Sequence, residues 1–267
     1  MSMSAQHTTQ PSHSPGPASP TARVLAQARF ETGSLMRNGE QLLVSIILPA
    51  IALVALARFT ASSPELFGPS MPTGEHRMDA VMAGVLGLAV LSTAFTGQAI
   101  STGFDRRYGV LRLLGTTPLG RGGLLAAKGL AVLVIVAAQT LVLGAMGMAF
   151  GWTPHLGNLM LSLPFLVVGA WVFVAFALLF AGTLRAEAVL ALANIIWVIL
   201  VAVGGVLLPA PRLGGVEAVV PWLPSGALGQ GMRAALSGSF DAPAFIVLVL
   251  WGILFTLAAR AWFRWSD

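Results

Sequence analysis

The sequence contains no cysteine and few charged residues. Because none of its 267 residues is a thiol, disulfides and thiolate metal sites are excluded. Charged residues make up 9% of the chain and hydrophobic residues 56%, whereas soluble proteins carry about 25% charged residues. The mean hydropathy of +0.83 points the same way. This composition excludes an ordinary soluble protein and predicts a membrane protein.

Sequence patterns for nucleotide hydrolysis, metal binding and acyl transfer are also missing. A P-loop requires G-x-x-x-x-G-K-[ST], and the only lysine, Lys128, lies in LAAKG. No pair of the four histidines has the spacing of metal ligands. No G-x-S-x-G elbow is present. We therefore expect no catalytic residue, no metal site and no cofactor bound by this chain.

Six long apolar runs are the dominant feature of the sequence. About 20 helical residues cross a hydrocarbon core of ~30 Å, and continuous rather than alternating apolar runs favour helices over a β-barrel. The runs lie at about 41–59, 79–101, 126–149, 161–183, 188–208 and 244–262. The sequence thus predicts an all-α polytopic membrane protein with six transmembrane helices.

The basic residues are unevenly divided between the two sides of these spans. With a cytosolic N-terminus, eleven of the fifteen Lys and Arg residues lie inside, as the positive-inside rule requires. This predicts a plasma-membrane protein with both termini in the cytoplasm. The asymmetry also accounts for the formal charge of +5, so we expect the lipid bilayer, not nucleic acid, as a partner. No cleavable signal peptide is expected, because the first apolar run starts near Leu42.

Three segments outside the spans have a character of their own. Residues 1–20 lack Lys, Arg, Asp and Glu and are rich in Ser, Pro and Thr, which predicts a disordered tail. Residues 21–40 mix apolar residues with arginines and are predicted to form an interfacial helix on the inner leaflet. The external segment 209–243 is moderately apolar and is punctuated by Pro209, Pro211, Pro221 and Pro224. Within it, residues 225–237 are predicted to form a re-entrant helix.

The loop between the second and third spans is basic and punctuated by Gly and Pro. Its one acid is Asp105, and its basic residues are Arg106, Arg107, Arg112, Arg121 and Lys128. In the stretch YGVLRLLG, Tyr108, Leu111 and Leu114 recur at helical spacing. We therefore predict a short amphipathic helix in the cytosol, suited to contact a soluble partner.

Few polar residues lie within the spans. Gln98, Gln139 and Asn194, together with the aromatic Trp197, are candidates for a substrate path. In lipid such side chains more often hydrogen-bond a neighbouring helix, and that alternative stays open. The spans contain no chain of acids and bases for a proton relay, which weakens the hypothesis of a proton-coupled antiporter.

The central loop resembles the cytosolic loop of type-2 ABC transporter permeases, the class that includes daunorubicin-resistance-like exporters. In that family the second span is followed roughly by E-R-E-x-G-T-L-x-x-L-x-x-T-P-L-x-R. Arg107 and Val110 depart from this pattern. Asp105 replaces the first Glu of the pattern, and the residues that match it are Arg106, Gly109, Leu111, Leu114, Thr117 and Pro118. The similarity extends over about residues 22–263 and includes a family-like G-x-x-x-P at the end of the fifth span.

The resemblance implies a fold, partners and a function. Residues 41–263 would form a type-2 ABC transmembrane domain, and Asp105 together with the six matching loop residues would couple it to an ATPase. Two copies of an ABC ATP-binding subunit would bind ATP and Mg, and the second permease subunit would be identical or related. The expected function is ATP-driven export of a hydrophobic or amphiphilic substrate, a drug or a lipid-like molecule, from the cytosol or inner leaflet.

Two alternatives of other classes remain open at this point, a non-transporting membrane assembly or scaffold protein and a secondary drug antiporter. For the exporter, we expect Leu111 and Leu114 to enter a groove of the ATPase. One of the loop's arginines, Arg106, Arg107 or Arg112, would then lie at the rim of that groove.

Overall fold

The computed structural model describes residues 18–37, 39–62, 76–209 and 214–263. All regular secondary structure in these ranges is helical, so the prediction of an all-α protein is confirmed there. The predicted disordered tail, apart from its last three residues, lies outside the described residues.

Ten helices follow one another in the described ranges. They are α1 Pro20–Arg37, α2 Gly39–Ser62, α3 His76–Val90, α4 Gln98–Arg107, α5 Val110–Gly115, α6 Gly120–Ala149, α7 Leu156–Thr183, α8 Ala186–Ala202, α9 Pro224–Leu236 and α10 Ala242–Trp262. A π-helical segment, Leu91–Gly97, joins α3 to α4 without a break. These three pieces therefore form one continuous rod.

Among the described residues, four helices are long and apolar enough to cross a membrane. They cover Arg77–Arg107, Gly122–Ala149, Leu156–Thr183 and Ala242–Trp262. Two further apolar helices, Ser45–Phe59 and Ala186–Ala202, are shorter. Four of the predicted spans thus meet the length requirement within the described residues, and the full six-span arrangement stays a prediction.

The rod formed by α3, the π-helical segment and α4 lies at the centre of the bundle. In its apolar window 83% of the residues are buried, against 28% for α10. The rod packs against α2, α6, α7, α8 and α9. Because protein covers the rod on most sides, its polar side chains face other helices rather than lipid.

The fifth predicted span, 188–208, is corrected by the structure. Helix α8 ends at Ala202, and the residues from 203 to 208 are not helical although they remain apolar. The carbonyl oxygens of Gly205 and Val206 instead accept hydrogen bonds from the Arg233 guanidinium at 2.8 and 3.0 Å. This tertiary contact with α9 replaces the helical hydrogen bonds that hydropathy alone would predict.

Helices occur where the interfacial and re-entrant segments were predicted. Helix α1 packs against α6 through a buried face that includes Ala28, Glu31 and Leu35. Helix α9 is mostly buried and packs against α3, α7 and α10. Such cover is what a re-entrant helix requires. The positions of α1 and α9 relative to the leaflets stay predictions.

The charge asymmetry predicts which ends of the bundle face the cytosol. Ser237 and Thr116 are both exposed, and we expect them on opposite sides of the membrane. A cysteine replacing Ser237 should react with an impermeant maleimide on intact cells. One replacing Thr116 should react only after permeabilisation, and the reverse labelling would overturn this orientation.

Candidate functional site

The predicted coupling residues lie in a tight turn that follows α4. The N–H of Tyr108 donates to the carbonyl of Phe104 at 2.9 Å, and the N–H of Gly109 donates to that of Arg106 at 3.0 Å. Gly109 has a φ of +76°, in the left-handed region that favours glycine at the end of a helix. Helix α5 can therefore begin directly at Val110.

Arg106 anchors this turn to the end of α7. Its side chain is buried, and the guanidinium donates to the carbonyl of Ala181 at 2.8 Å and to that of Leu184. Carbonyls at the end of a helix lack intrahelical partners, so the arginine satisfies groups that would otherwise be left unpaired. The predicted place of Arg106 at the rim of a partner's groove is therefore corrected, because its charge points into this chain.

Lys128 forms the centre of a buried ion cluster. Its ammonium lies 2.9 Å from Glu31 Oε2 and 3.4 Å from Asp105 Oδ2, and its side chain is fully buried. Gln27 donates a further hydrogen bond to Glu31 Oε1 at 2.9 Å. A buried charge is tolerated only when it is paired, so the cluster fixes α1, α4 and α6 to one another.

Sequence reasoning did not find Glu31. The sequence did contain a signal for Glu31, because Ala28, Glu31 and Leu35 recur at helical spacing and so share one face of α1. The structure buries all three residues. An acid on the apolar face of an amphipathic helix requires a buried cation as partner. Lys128, the only lysine and the last residue of the loop motif, was the candidate.

The far end of the loop is also attached to α1. An Arg23 guanidinium nitrogen donates to the carbonyl of Pro118 at 2.9 Å. The Thr117 hydroxyl donates to the carbonyl of Leu114 at 2.6 Å, which caps the end of α5. Thr117 and Pro118 thus close α5 and connect it to the N-terminal helix.

The predicted contact face of α5 is corrected by the burial of its side chains. Leu111 is 0% exposed and belongs to the hydrophobic core of this chain, and Leu114 packs partly against the same core. Tyr108 and Leu113 are 73% and 70% exposed. Leu111 therefore holds the helix to the bundle, while Tyr108 and Leu113 form the face that is available to a partner.

Arg107 contributes differently from Arg106. It pairs with Glu187 of α8, and the two side chains are 48% and 66% exposed. Exposed pairs of this kind contribute only about 0–1 kcal/mol to stability. Arg107 is thus a surface residue of the loop and not an anchor.

Three of the four candidate path residues have hydrogen-bond partners. Gln139 donates to the carbonyl of Ser45 at 3.0 Å and exchanges hydrogen bonds with the Thr93 hydroxyl. Trp197 donates to Ser92 Oγ at 3.1 Å. Asn194 is exposed and donates to the carbonyl of Leu190 in its own helix at 2.9 Å. Gln139 and Trp197 thus bind the π-helical segment from α6 and α8, while Asn194 lies apart from both.

Gln98 is different from these three residues. It is 0% exposed, and neither atom of its amide has a hydrogen-bond partner among the described residues. Thr102, one turn further along α4, is also fully buried with an unpartnered hydroxyl. As for metals, the part of the chain that the structure describes holds no group of three His, Asp or Glu residues able to bind one.

A comparison with protein families identifies the class of this chain. A family model described as "ABC-2 family transporter protein" matches residues 24–261, which span α1 to the last turn of α10. The chain therefore belongs to the ABC-2 transporter family. It is a multi-pass membrane component of an ABC-type transporter, and such permease domains generally work with an ATP-binding subunit. No curated protein matches the chain.

The ion cluster predicts that removing its buried cation lowers the free energy of unfolding much more than removing an exposed cation does. Lys128→Met leaves two carboxylates unpaired and should destabilise the protein by about 3–5 kcal/mol. Arg107→Met removes the exposed pair with Glu187 and should cost about 0–1 kcal/mol. Denaturant unfolding of the purified variants measures both.

A double variant provides a further control for this cluster. Glu31→Gln in the Lys128→Met background removes one unpaired charge, so it should restore part of the lost stability. Equal stability of Lys128→Met and Arg107→Met would show that the buried cluster is not an anchor.

Proposed function

We propose that this chain is the permease subunit of an ATP-driven exporter. The observation that carries the proposal is the construction of α5. Its exposed side chain Leu113, together with Tyr108 in the turn before it, stands on a base held by Leu111, Arg106 and Lys128. Exposed apolar groups beside a helix are typical of surfaces that bind a partner. Family membership supports an ABC ATP-binding subunit as that partner.

The proposed complex contains two permease subunits, identical or related, and two ATP-binding subunits. ATP and Mg belong to the ATP-binding subunits, because this chain has no P-loop. The side of the bundle that carries α5 then faces the cytosol, and both termini lie on that side, as the arginine distribution favours.

The residues that hold α5 to the bundle could transmit a movement of the ATP-binding subunits to the transmembrane helices. Closure of the ATP-binding subunits would push on Tyr108 and Leu113. Arg106 joins the moving turn to α7, and Lys128 joins it to α1 and α6. Because buried contacts are closely packed and compress little, a displacement of α5 would move these helices rather than deform the loop.

The interior of the bundle supports a hydrophobic or amphiphilic substrate. Phe95 of the π-helical segment stacks on Phe176 with ring centroids 4.6 Å apart, and Phe176 stacks on Phe255 at 4.5 Å. Aromatic linings with few polar groups suit ligands of this class. We propose outward movement from the cytosol or inner leaflet on the basis of the family resemblance.

The lack of a P-loop predicts that the isolated chain hydrolyses no ATP. Purified alone, it should have no ATPase activity. Purified with an ABC ATP-binding subunit, it should form a complex that hydrolyses ATP. An ATPase rate in the isolated chain comparable to that of the complex would contradict the assignment.

The exposed face of α5 predicts which leucine binds the ATPase. Leu113→Asp should weaken binding of the ATP-binding subunit by about 30-fold or more, since truncating a central anchor costs about 2 kcal/mol. Affinity is measured by pull-down from detergent at graded concentrations. Arg112→Ala, at the rim, should change it little.

Two leucines serve as controls for this measurement. Leu156→Asp changes an equally exposed leucine, 72% accessible, outside the coupling loop, and should leave binding intact. Leu111→Asp places a charge in the core and should lower the yield of folded protein. Unchanged binding by Leu113→Asp would exclude this face as the docking surface.

A further inference from the structure

The side chains of two buried residues of α4, Gln98 and Thr102, have no hydrogen-bond partner within the part of the chain that the structure describes. We propose that Gln98 and Thr102 line a passage between α4, α6 and α7, which is closed in this structure and takes an uncharged hydrogen-bonding group of an otherwise apolar substrate. The proposal rests on the export function proposed above. It adds the position of the path and the chemistry of the group that it accepts.

A comparison of Gln98 with Gln139 shows that not every buried glutamine of the bundle lacks hydrogen-bond partners. Gln98 and Gln139 are both buried, yet every polar atom of the Gln139 side chain is hydrogen-bonded and none of Gln98 is. Roughly 90% of buried polar groups find a partner, and burying one without a partner is unfavourable. The closed packing around Gln98 is therefore destabilised relative to an arrangement in which its amide is satisfied.

The register of α4 shows where the pair faces. Gln98 lies seven residues before Asp105, and Thr102 lies four residues before Arg106, so all four residues share one side of the helix. Asp105 reaches Lys128 of α6, and Arg106 reaches the end of α7. Gln98 and Thr102 therefore lie on the side of α4 that is turned toward Lys128 of α6 and the end of α7, one to two turns from the coupling loop.

The π-helical segment before Gln98 allows α4 to rotate, and with it the side of the helix that carries Gln98 and Thr102. Residues Leu91–Gly97 are π-helical, a winding that is rare and often occurs at functional sites. The hydroxyl of Thr96 in this segment is also buried without a partner. A change between π and α winding rotates α4 against α3, which gives Gln98 and Thr102 a second orientation. The anchors Arg106 and Lys128 connect that rotation to α5.

The groups around the pair define the ligand chemistry. An amide and a hydroxyl each donate and accept hydrogen bonds, and no residue from Phe95 to Phe104 is charged. Phe95, one turn before Gln98, contacts Phe176 and Phe180 at centroid distances of 4.6 and 5.9 Å. The nearest charges on this side of α4, Asp105 and Arg106, are already bound to Lys128 and to the end of α7. Such a site suits a neutral alcohol, amide or ester on an aromatic or aliphatic body rather than an ion.

An apolar crevice reaches the same two helices from the side of α10. Its enclosed space is about 10 Å³, room for about one water molecule, and its lining includes Leu124 of α6, Leu178 of α7 and Arg260 of α10. Leu178 lies three residues before Ala181, whose carbonyl binds Arg106. The crevice therefore lies beside the contact between α6 and α7, and it is closed to molecules larger than water in this structure.

The first test compares the thermal stability of matched variants of the chain alone in lipid nanodiscs. Gln98→Leu and Thr102→Val remove unpartnered groups and should raise the Tm by about 2–4 °C. Gln139→Leu removes a bonded amide and should lower the Tm. A lower Tm for Gln98→Leu as well would show that Gln98 is a structural residue and would overturn the proposal.

The second test measures hydration with N-ethylmaleimide, which reacts with thiolates and hence with thiols that water reaches. The chain contains no other thiol. A cysteine replacing Gln98 or Thr102 should be modified at least roughly tenfold faster than one replacing Gln139, because the proposed passage admits water at the first two positions and not at Gln139. Equal protection of all three would exclude a passage at Gln98. A cysteine replacing the exposed Ser237 gives the rate of an accessible thiol.

The third measurement concerns the chemistry of the ligand. Dodecanol and dodecyltrimethylammonium share a tail and differ in charge, and only dodecanol should slow the modification of the cysteine at position 98. Protection by the ammonium compound alone, or equal protection by both, would overturn the inference of an uncharged group.

Nucleotide dependence separates this inference from the exporter assignment. In the complex with the ATP-binding subunit, vanadate trapping should change the modification rate at position 98 and leave that at Ser237→Cys unchanged. If the chain alone opens at Gln98 but vanadate has no effect, the passage stands and the ATP-driven function fails.

Discussion

The structure around the turn between α4 and α5, which contains the proposed coupling residues, depends on the pairing of one buried ammonium group with two carboxylates. Lys128 is fully buried between Glu31 and Asp105, and a buried cation without its partners costs several kcal/mol. The positions of α1, α4 and α6 are therefore linked, because none can move away without leaving a charge unpaired. Arg106 extends the same constraint to the end of α7. By comparison, the exposed pair Arg107–Glu187 is weak, since water screens it.

Because of this constraint, different side chains attach the six-residue helix α5 to the bundle and form its exposed surface. Leu111 is buried and the loop end is held by Arg23 at Pro118, so the helix has a fixed position on the bundle. Tyr108 and Leu113 stay exposed. A docking surface on a rigid base transmits displacement, whereas the same side chains on a flexible loop would only follow their partner. In the complex proposed above, the buried cations would thus supply the rigid base that coupling requires.

The sequence predicted what length and periodicity determine, and it failed where tertiary contacts decide. Helices occur where the long apolar runs predicted them, with some ends about six residues away, and the spacing of Tyr108, Leu111 and Leu114 predicted α5. The spacing of Tyr108, Leu111 and Leu114 places them on one face, yet it does not show what covers that face, so the exposed residue Leu113 was missed. The end of α8 at Ala202 could not be predicted either. There, Arg233, 31 positions further along, satisfies the carbonyls of an apolar segment that hydropathy assigns to a helix.

Gln98 and Gln139 show the same limit at the level of function. Both are isolated glutamines in apolar runs, and composition gives no reason to separate them. The structure gives Gln139 partners from α2 and the π-helical segment, but Gln98 has none in the described residues. Stability alone would favour an apolar side chain at Gln98. A polar side chain that destabilises one arrangement of the helices can stabilise another arrangement in which its polar atoms are hydrogen-bonded. A transporter needs two such arrangements, and the unpaired amide at Gln98 gives the closed bundle a physical reason to open.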